Sequence, residues 1–167
     1  MTAPLLLPAT TLALAVDADG PLCGIALLGP PGEGKSQTAM SLMTQCVFRR
    51  SRLISDDMSW LGVKDDRLVA SAPAGMAGRI ELRGTGISVV PAIERYPLSF
   101  AFRMGLTAER QPADPAPWAP LGEHGPTLPE FHWTHGRAGL IVFVRSILSG
   151  HSRRAGFDYM PAAADEG

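Results

Sequence analysis

One short segment dominates the chemistry this chain could carry. Gly29-Pro30-Pro31-Gly32-Glu33-Gly34-Lys35-Ser36, with Gln37 after it, fits the pattern G-x-x-x-x-G-K-[ST]. Glycines at 32 and 34 let the backbone curl until successive amides turn inward toward an anion. Lys35 supplies a cation for phosphate oxygens, and the Ser36 hydroxyl is the kind of ligand Mg²⁺ takes beside a nucleotide. Among 18 glycines such a match arises by chance now and then, so its flanks decide. An apolar run at residues 24–28 leads in. An amphipathic stretch leads out, with Ala39, Leu42, Met43, Cys46 and Val47 on one face of a 3.6-residue period. Strand, glycine loop and helix N-terminus in that order predict a phosphate-binding loop, with Gly29 through Gln37 holding nucleotide.

Two further clusters bear on what such a loop would do. Asp56 and Asp57 follow an expected strand at residues 52–55, at the carboxyl end where open α/β sheets bind ligands. One carboxylate could take the proton of an incoming hydroxyl while the other helps hold a metal; a plain polar turn is the alternative. Glu81 and Arg83, two apart in an expected strand, share one face. A carboxylate for metal beside a guanidinium for phosphate suits phosphoryl transfer, but on spacing alone a cross-strand charge pair closed by a glycine turn is the preferred reading.

These residues need a scaffold, and the pattern predicts an α/β one. Apolar runs at residues 11–16 and 24–28 read as strands around a turn at 17–20, with the helix after residue 36. Short strands are expected at 52–55, 58–61, 67–70, 79–83, 86–90, 98–103 and 131–133, with a loop at 72–78. Residues 109–129 hold six prolines and no period, which predicts a long surface loop, with Trp118 as solvated filler rather than a lid. Residues 137–148 suit a helix, although Ile141 to Val144 would also suit a strand, and residues from 151 onward read as a flexible tail. A single domain over residues 1–150 is expected.

Composition narrows the class. A formal charge of −1 gives no field favouring nucleic acid. Thirteen of the basic residues are arginine; only Lys35 and Lys64 are lysine, and one of them sits in the motif that calls for it. Cys23 and Cys46 lie in apolar contexts without metal spacing, as small buried hydrophobes of a reducing compartment do. The apolar stretch around Leu5 to Leu7 lacks a basic flank and breaks at Asp17, so neither a signal peptide nor a membrane span is expected and the cytoplasm is. His132 and His135, three apart, read as exposed loop histidines rather than metal ligands.

Taken in order, these segments resemble the catalytic domain of HPr kinase/phosphorylases, bacterial enzymes that act on a serine of the phosphocarrier protein HPr. The likeness is carried by G-P-P-G-E-G-K-S-Q-T at residues 29–38, L-I-S-D-D at 53–57 and A-G-R-I-E-L-R-G-T-G-I at 77–87. The resemblance implies a P-loop α/β domain with a mixed sheet, phosphoenolpyruvate carboxykinase-like and commonly hexameric, here in a short form without the family's N-terminal domain. It implies ATP or pyrophosphate as donor, Mg²⁺, and HPr or an HPr-like protein as acceptor. It further implies that Lys35 contacts phosphate, Ser36 and Glu81 ligate the metal, and Asp57 is the general base, with Asp56 its acidic neighbour. Two positions depart from the family. Pro8-Ala9-Thr10 stands where a catalytic histidine is usual, and the family's downstream arginine has only Arg95 and Arg103 as candidates. Both departures set the kinase direction above reverse phosphorolysis. A kinase for another protein, peptide or small molecule, and a nucleotide-sensing module without transfer, are the rival expectations.

Overall fold

The structure, a computed structural model, describes residues 3–105, 116–133 and 137–148. In chain order its elements are β1 (Leu5–Pro8), β2 (Thr10–Leu14), β3 (Cys23–Leu28), α1 (Lys35–Thr44), β4 (Arg52–Ser55), β5 (Met58–Lys64), β6 (Arg67–Ser71), β7 (Arg79–Leu82), β8 (Gly86–Val89), β9 (Arg95–Met104), β10 (Ala116–Trp118), β11 (Leu128–Trp133) and α2 (Arg137–Leu148). The main sheet runs β1-β5-β6-β9-β3-β2-β4, and β7 and β8 form a separate hairpin.

The long strand β9 organises the sheet. On one edge residues 95–97 pair antiparallel with β6, while residues 101–104 pair parallel with β11, which in turn carries β10. Its other edge pairs parallel with β3. Because β2 is antiparallel to both β3 and β4, the strands β3, β4, β9 and β11 all run one way and deliver their carboxyl ends to one edge. Mixed pairing of this kind curls the sheet rather than leaving it an open parallel one.

Both faces of the sheet are covered, so the central strands read as near-continuous apolar runs. In β3, Cys23, Ile25 and Leu27 face one cluster, together with Ala39 and Leu42 of α1 and Leu140 and Val144 of α2. Ala26 and Leu28 face the other, with Ala13, Ile54, Leu61, Leu68 and Trp118. A bulge in the β3–β9 register, where Gly24 opposes Leu98 but Ile25 opposes Phe100, resets which residues of β9 face which side. Leu98 packs on the second cluster, yet Phe100 and Phe102 turn to the first. There Phe102 stacks on Phe131 at 5.5 Å, and Phe143 of α2 meets Phe131 edge-on at 5.4 Å.

Several expectations change. The helix α1 stops at Thr44: Gln45 is its C-cap, Val47 is 73% exposed, and only Cys46 of the last two apolar positions is buried. Ser41 and Thr44 donate to the carbonyls of Gln37 and Met40, a back-bonding that loosens a short helix. The proline-rich stretch is not all loop, since β10 and the start of β11 lie within it; residues 109–115 of it fall outside those described. Trp118 is only 9% exposed and packs in the core, so it is not solvated filler. β1 and β10 were not expected, and residues 137–148 are helix rather than strand. The expected tail and His135 lie outside the described residues. Both cysteines are buried.

Candidate active site

At the end of β3 the backbone turns sharply. Gly29, Gly32 and Gly34 all have positive φ, at 137°, 95° and 83°. A side chain at Gly29 would put its Cβ 2.4 Å from the carbonyl oxygen of Met104, so this position needs glycine twice over. Gly34 is the N-cap of α1, and no side chain among the described residues caps that end, which leaves the first amides of the helix open to a ligand. Lys35 is 8% exposed and folds across the loop, its Nζ donating to the carbonyls of Gly29 at 2.8 Å and Pro30 at 3.0 Å.

The two adjacent aspartates have opposite environments. Asp56 is 4% exposed and its carboxylate accepts three hydrogen bonds. Oδ1 takes the hydroxyls of Thr10 and Ser36, each at 2.8 Å, and Oδ2 takes the backbone N–H of Glu81 at 3.1 Å. One buried anion therefore ties β2, the start of α1 and β7 to the end of β4. Asp57 is exposed and stands in the left-handed region at φ 62°, in a tight turn where Met58 N–H donates to Asp56 O at 2.7 Å. The pair is a turn, as the plainer reading had it, but a turn that buries one carboxylate and presents the other.

A cavity of about 300 Å³ opens between the loop and the β7–β8 hairpin. Pro31, Gly32, Gly34, Lys35, Ser36 and Gln37 line it from the loop, with Asp57, Glu81 and Arg83 across from them. Glu81 pairs across the hairpin with Ile87, so a cross-strand charge partner is not what it has. The Arg83 guanidinium lies over Gly32, where an added Cβ would come 3.2 Å from Nη2. Gly29, Pro30 and Glu33 are not among the lining residues; Pro30 and Glu33 form a rim against Gly105. Apart from those three, the expected site residues share one cavity or, like Asp56, hold it together. Thr10 escaped the sequence reading; the only signal was a pair of hydroxyls opening an apolar strand.

The departures also have places. Pro8 is exposed on β1 and pairs with Met58, and the next residue, Ala9, donates its N–H to Asp57 O at 3.0 Å. The position beside the exposed aspartate thus carries no titratable group. Arg95 begins β9 and pairs with Ser71, at the far end from the loop. Arg103, near the other end, pairs with Leu28 immediately before the loop.

No protein-family profile matches the chain. Curated proteins do. It is 37% identical over 70 residues to HPr kinase/phosphorylase of Clostridium tetani, covering 42% of this chain and 22% of that one. The Clostridium botulinum protein of that name is 38% identical over 95 residues, 56% of this chain and 29% of the relative. The similarity is to HPr kinase/phosphorylases. The chain spans less than a third of the length of the curated relatives it matches. The fold agrees over a wider span. The structure of the HPr(Ser) kinase/phosphatase from Coxiella burnetii superposes with a TM-score of 0.65 at 20% identity, over 88% of this chain and 90% of that one. The curled mixed sheet is therefore the fold of that protein. No described helix is long and apolar enough to cross a membrane.

Proposed function

We propose that this chain is a protein-serine kinase that uses ATP to phosphorylate HPr or an HPr-like phosphocarrier protein. The observation that carries this is the split aspartate pair beside the phosphate loop: Asp56 buried on Ser36, Asp57 exposed on the same cavity. The resemblance to HPr kinase/phosphorylases names the acceptor class.

The parts have distinct tasks. The curled amides of residues 29–36 and the open N-terminus of α1 receive the β- and γ-phosphates. Lys35 offers its ammonium at the loop, and Arg83 closes over it from the hairpin with a fork suited to phosphate. Asp57 accepts the hydroxyl proton of the substrate serine as its oxygen bonds to the γ-phosphorus and the bond to the β–γ bridging oxygen breaks, giving phosphoserine and ADP. The donor set fits Mg²⁺: Ser36 offers a hydroxyl and Glu81 a carboxylate on one cavity, with Asp56 behind Ser36, and this ion takes few protein oxygens beside phosphate. Bound there, it would supply charge neutralisation for the phosphate oxygens.

Pro8 favours a forward kinase over a phosphorylase, since a proline beside Asp57 can neither give nor take a proton. The same proline favours the second reading, a nucleotide-sensing module without transfer. A homo-oligomer and a cytoplasmic location belong to the first reading; exposed Leu6 and Trp60, paired across β1 and β5, suit contact with a second copy.

The deciding experiment incubates the chain with purified HPr, Mg²⁺ and either ATP or pyrophosphate, then locates phosphate by mass spectrometry. Phosphoserine on HPr is expected with ATP. Tight nucleotide binding with no phosphoprotein from HPr would instead leave another acceptor or the sensing module.

A further inference from the structure

The phosphate cavity accounts for only the phosphate end of a nucleotide. Beyond Gly29, the next two strands that run parallel to β3 also end on this edge, β9 first and then β11. Ligands of α/β sheets lie along such carboxyl ends. Arg103 of β9 sits level with Leu28, the last residue before the loop, and level with His132 of β11 on its other side. Two residues on, Gly105 lies against Pro30 and Glu33 of the loop rim; a Cβ there would be 3.7 Å from each.

Arg103 is braced at two points by a single carboxylate. Its Nε donates to Glu130 Oε1 at 2.7 Å and its Nη2 to Oε2 at 2.8 Å, a two-point fork. The Glu130 side chain is only 9% exposed, and His132 Nε2 lies 3.5 Å from the same Oε1. The Arg103 side chain remains 43% exposed, and its Nη1 has no hydrogen-bond partner among the described residues. The Glu130 hydrogen bond raises the guanidinium's pKa further, against the effect of partial burial. The result is a guanidinium plane held at two points, its Nη1 unpaired among the described residues, beside the loop but outside the phosphate cavity. Fixed guanidinium planes stack on flat rings and donate to sugar or α-phosphate oxygens.

We infer that Arg103, braced by Glu130, is a binding residue for the nucleoside end of the nucleotide whose phosphates occupy residues 29–37. This rests on the nucleotide reading above. It makes Arg103 the residue that separates ATP and ADP from pyrophosphate, which has no nucleoside.

Calorimetry with Mg-ADP and Mg-pyrophosphate tests this on the full chain, as wild type, Arg103→Met, Arg103→Lys and Glu130→Gln. Arg103→Met should weaken ADP binding about tenfold or more and leave pyrophosphate binding unchanged. Arg103→Lys, which keeps the charge and a partner for Glu130, should fall between, as should Glu130→Gln. Unchanged pyrophosphate affinity shows that the variant is folded. Equal ADP affinity in Arg103→Met and wild type would overturn the inference while sparing the nucleotide reading. So would parallel loss of both ligands, which is what a merely structural ion pair predicts. Wild type binding pyrophosphate but not ADP would overturn it as well. Wild type binding neither probe would remove the nucleotide reading and this inference together.

Discussion

Asp56 and Asp57 show how far a single peptide bond can separate two identical side chains. The first has three donors converging on it, so replacing it strands the buried Thr10 hydroxyl and releases the half-buried Ser36 hydroxyl and Glu81 amide to the cavity. Asp56→Ala should cost about 1–3 kcal/mol, read as a lowered denaturation midpoint, because the stranded Thr10 hydroxyl carries a desolvation penalty. Among the described residues Asp57 has no side-chain hydrogen bond that holds the fold, and asparagine tolerates its left-handed backbone. Asp57→Asn should therefore keep its unfolding curve and nucleotide affinity while turnover drops about 10²–10⁴-fold. Matching losses of binding and turnover would take the proton-accepting role away from it. Lys35→Ala should weaken nucleotide binding and cut transfer by about a hundredfold or more, measured with labelled ATP. The motif residues were legible because spacing along the chain sets their geometry. The division between the aspartates was not, since burial depends on Thr10 and Glu81, which lie 46 and 25 residues away.

Among the elements, β3 leads into the phosphate loop, and its close contact with β9 is sequence-specific at one point. At Gly24 an added Cβ would stand 2.0 Å from the backbone oxygen of Pro97, beside the bulge that turns Phe100 and Phe102 to the α1 side. Gly24→Ala should destabilise by about 1–3 kcal/mol or more, visible as a lower melting temperature, because the colliding atom is backbone and cannot swing away. A variant as stable as wild type would show that the two strands slide apart easily. Strand β3 was legible from its unbroken apolar run. The bulge was not, because nothing in Leu98-Ser99-Phe100 marks an extra residue. Strands β1 and β10 escaped for a different reason: each is short and contains a proline, and edge pairing rather than pattern makes them strands. The end of α1 escaped because the apolar period runs on through Cys46 and Val47 after the helix has stopped.

For the molecule as a whole, an α/β scaffold around a phosphate loop followed directly from strand, glycine turn and helix. The mixed sheet could be named only through resemblance, since no local pattern places antiparallel β2 between β3 and β4. That placement has a consequence for how the proposed activity would be lost. All five residues of β2 are buried and both its edges are paired, so its amides should exchange with solvent only on global opening. Thr10, which anchors Asp56, belongs to that strand. Heating should thus release the Asp56 anchor and tertiary structure in one coincident transition, and the proposed kinase activity should not outlast it.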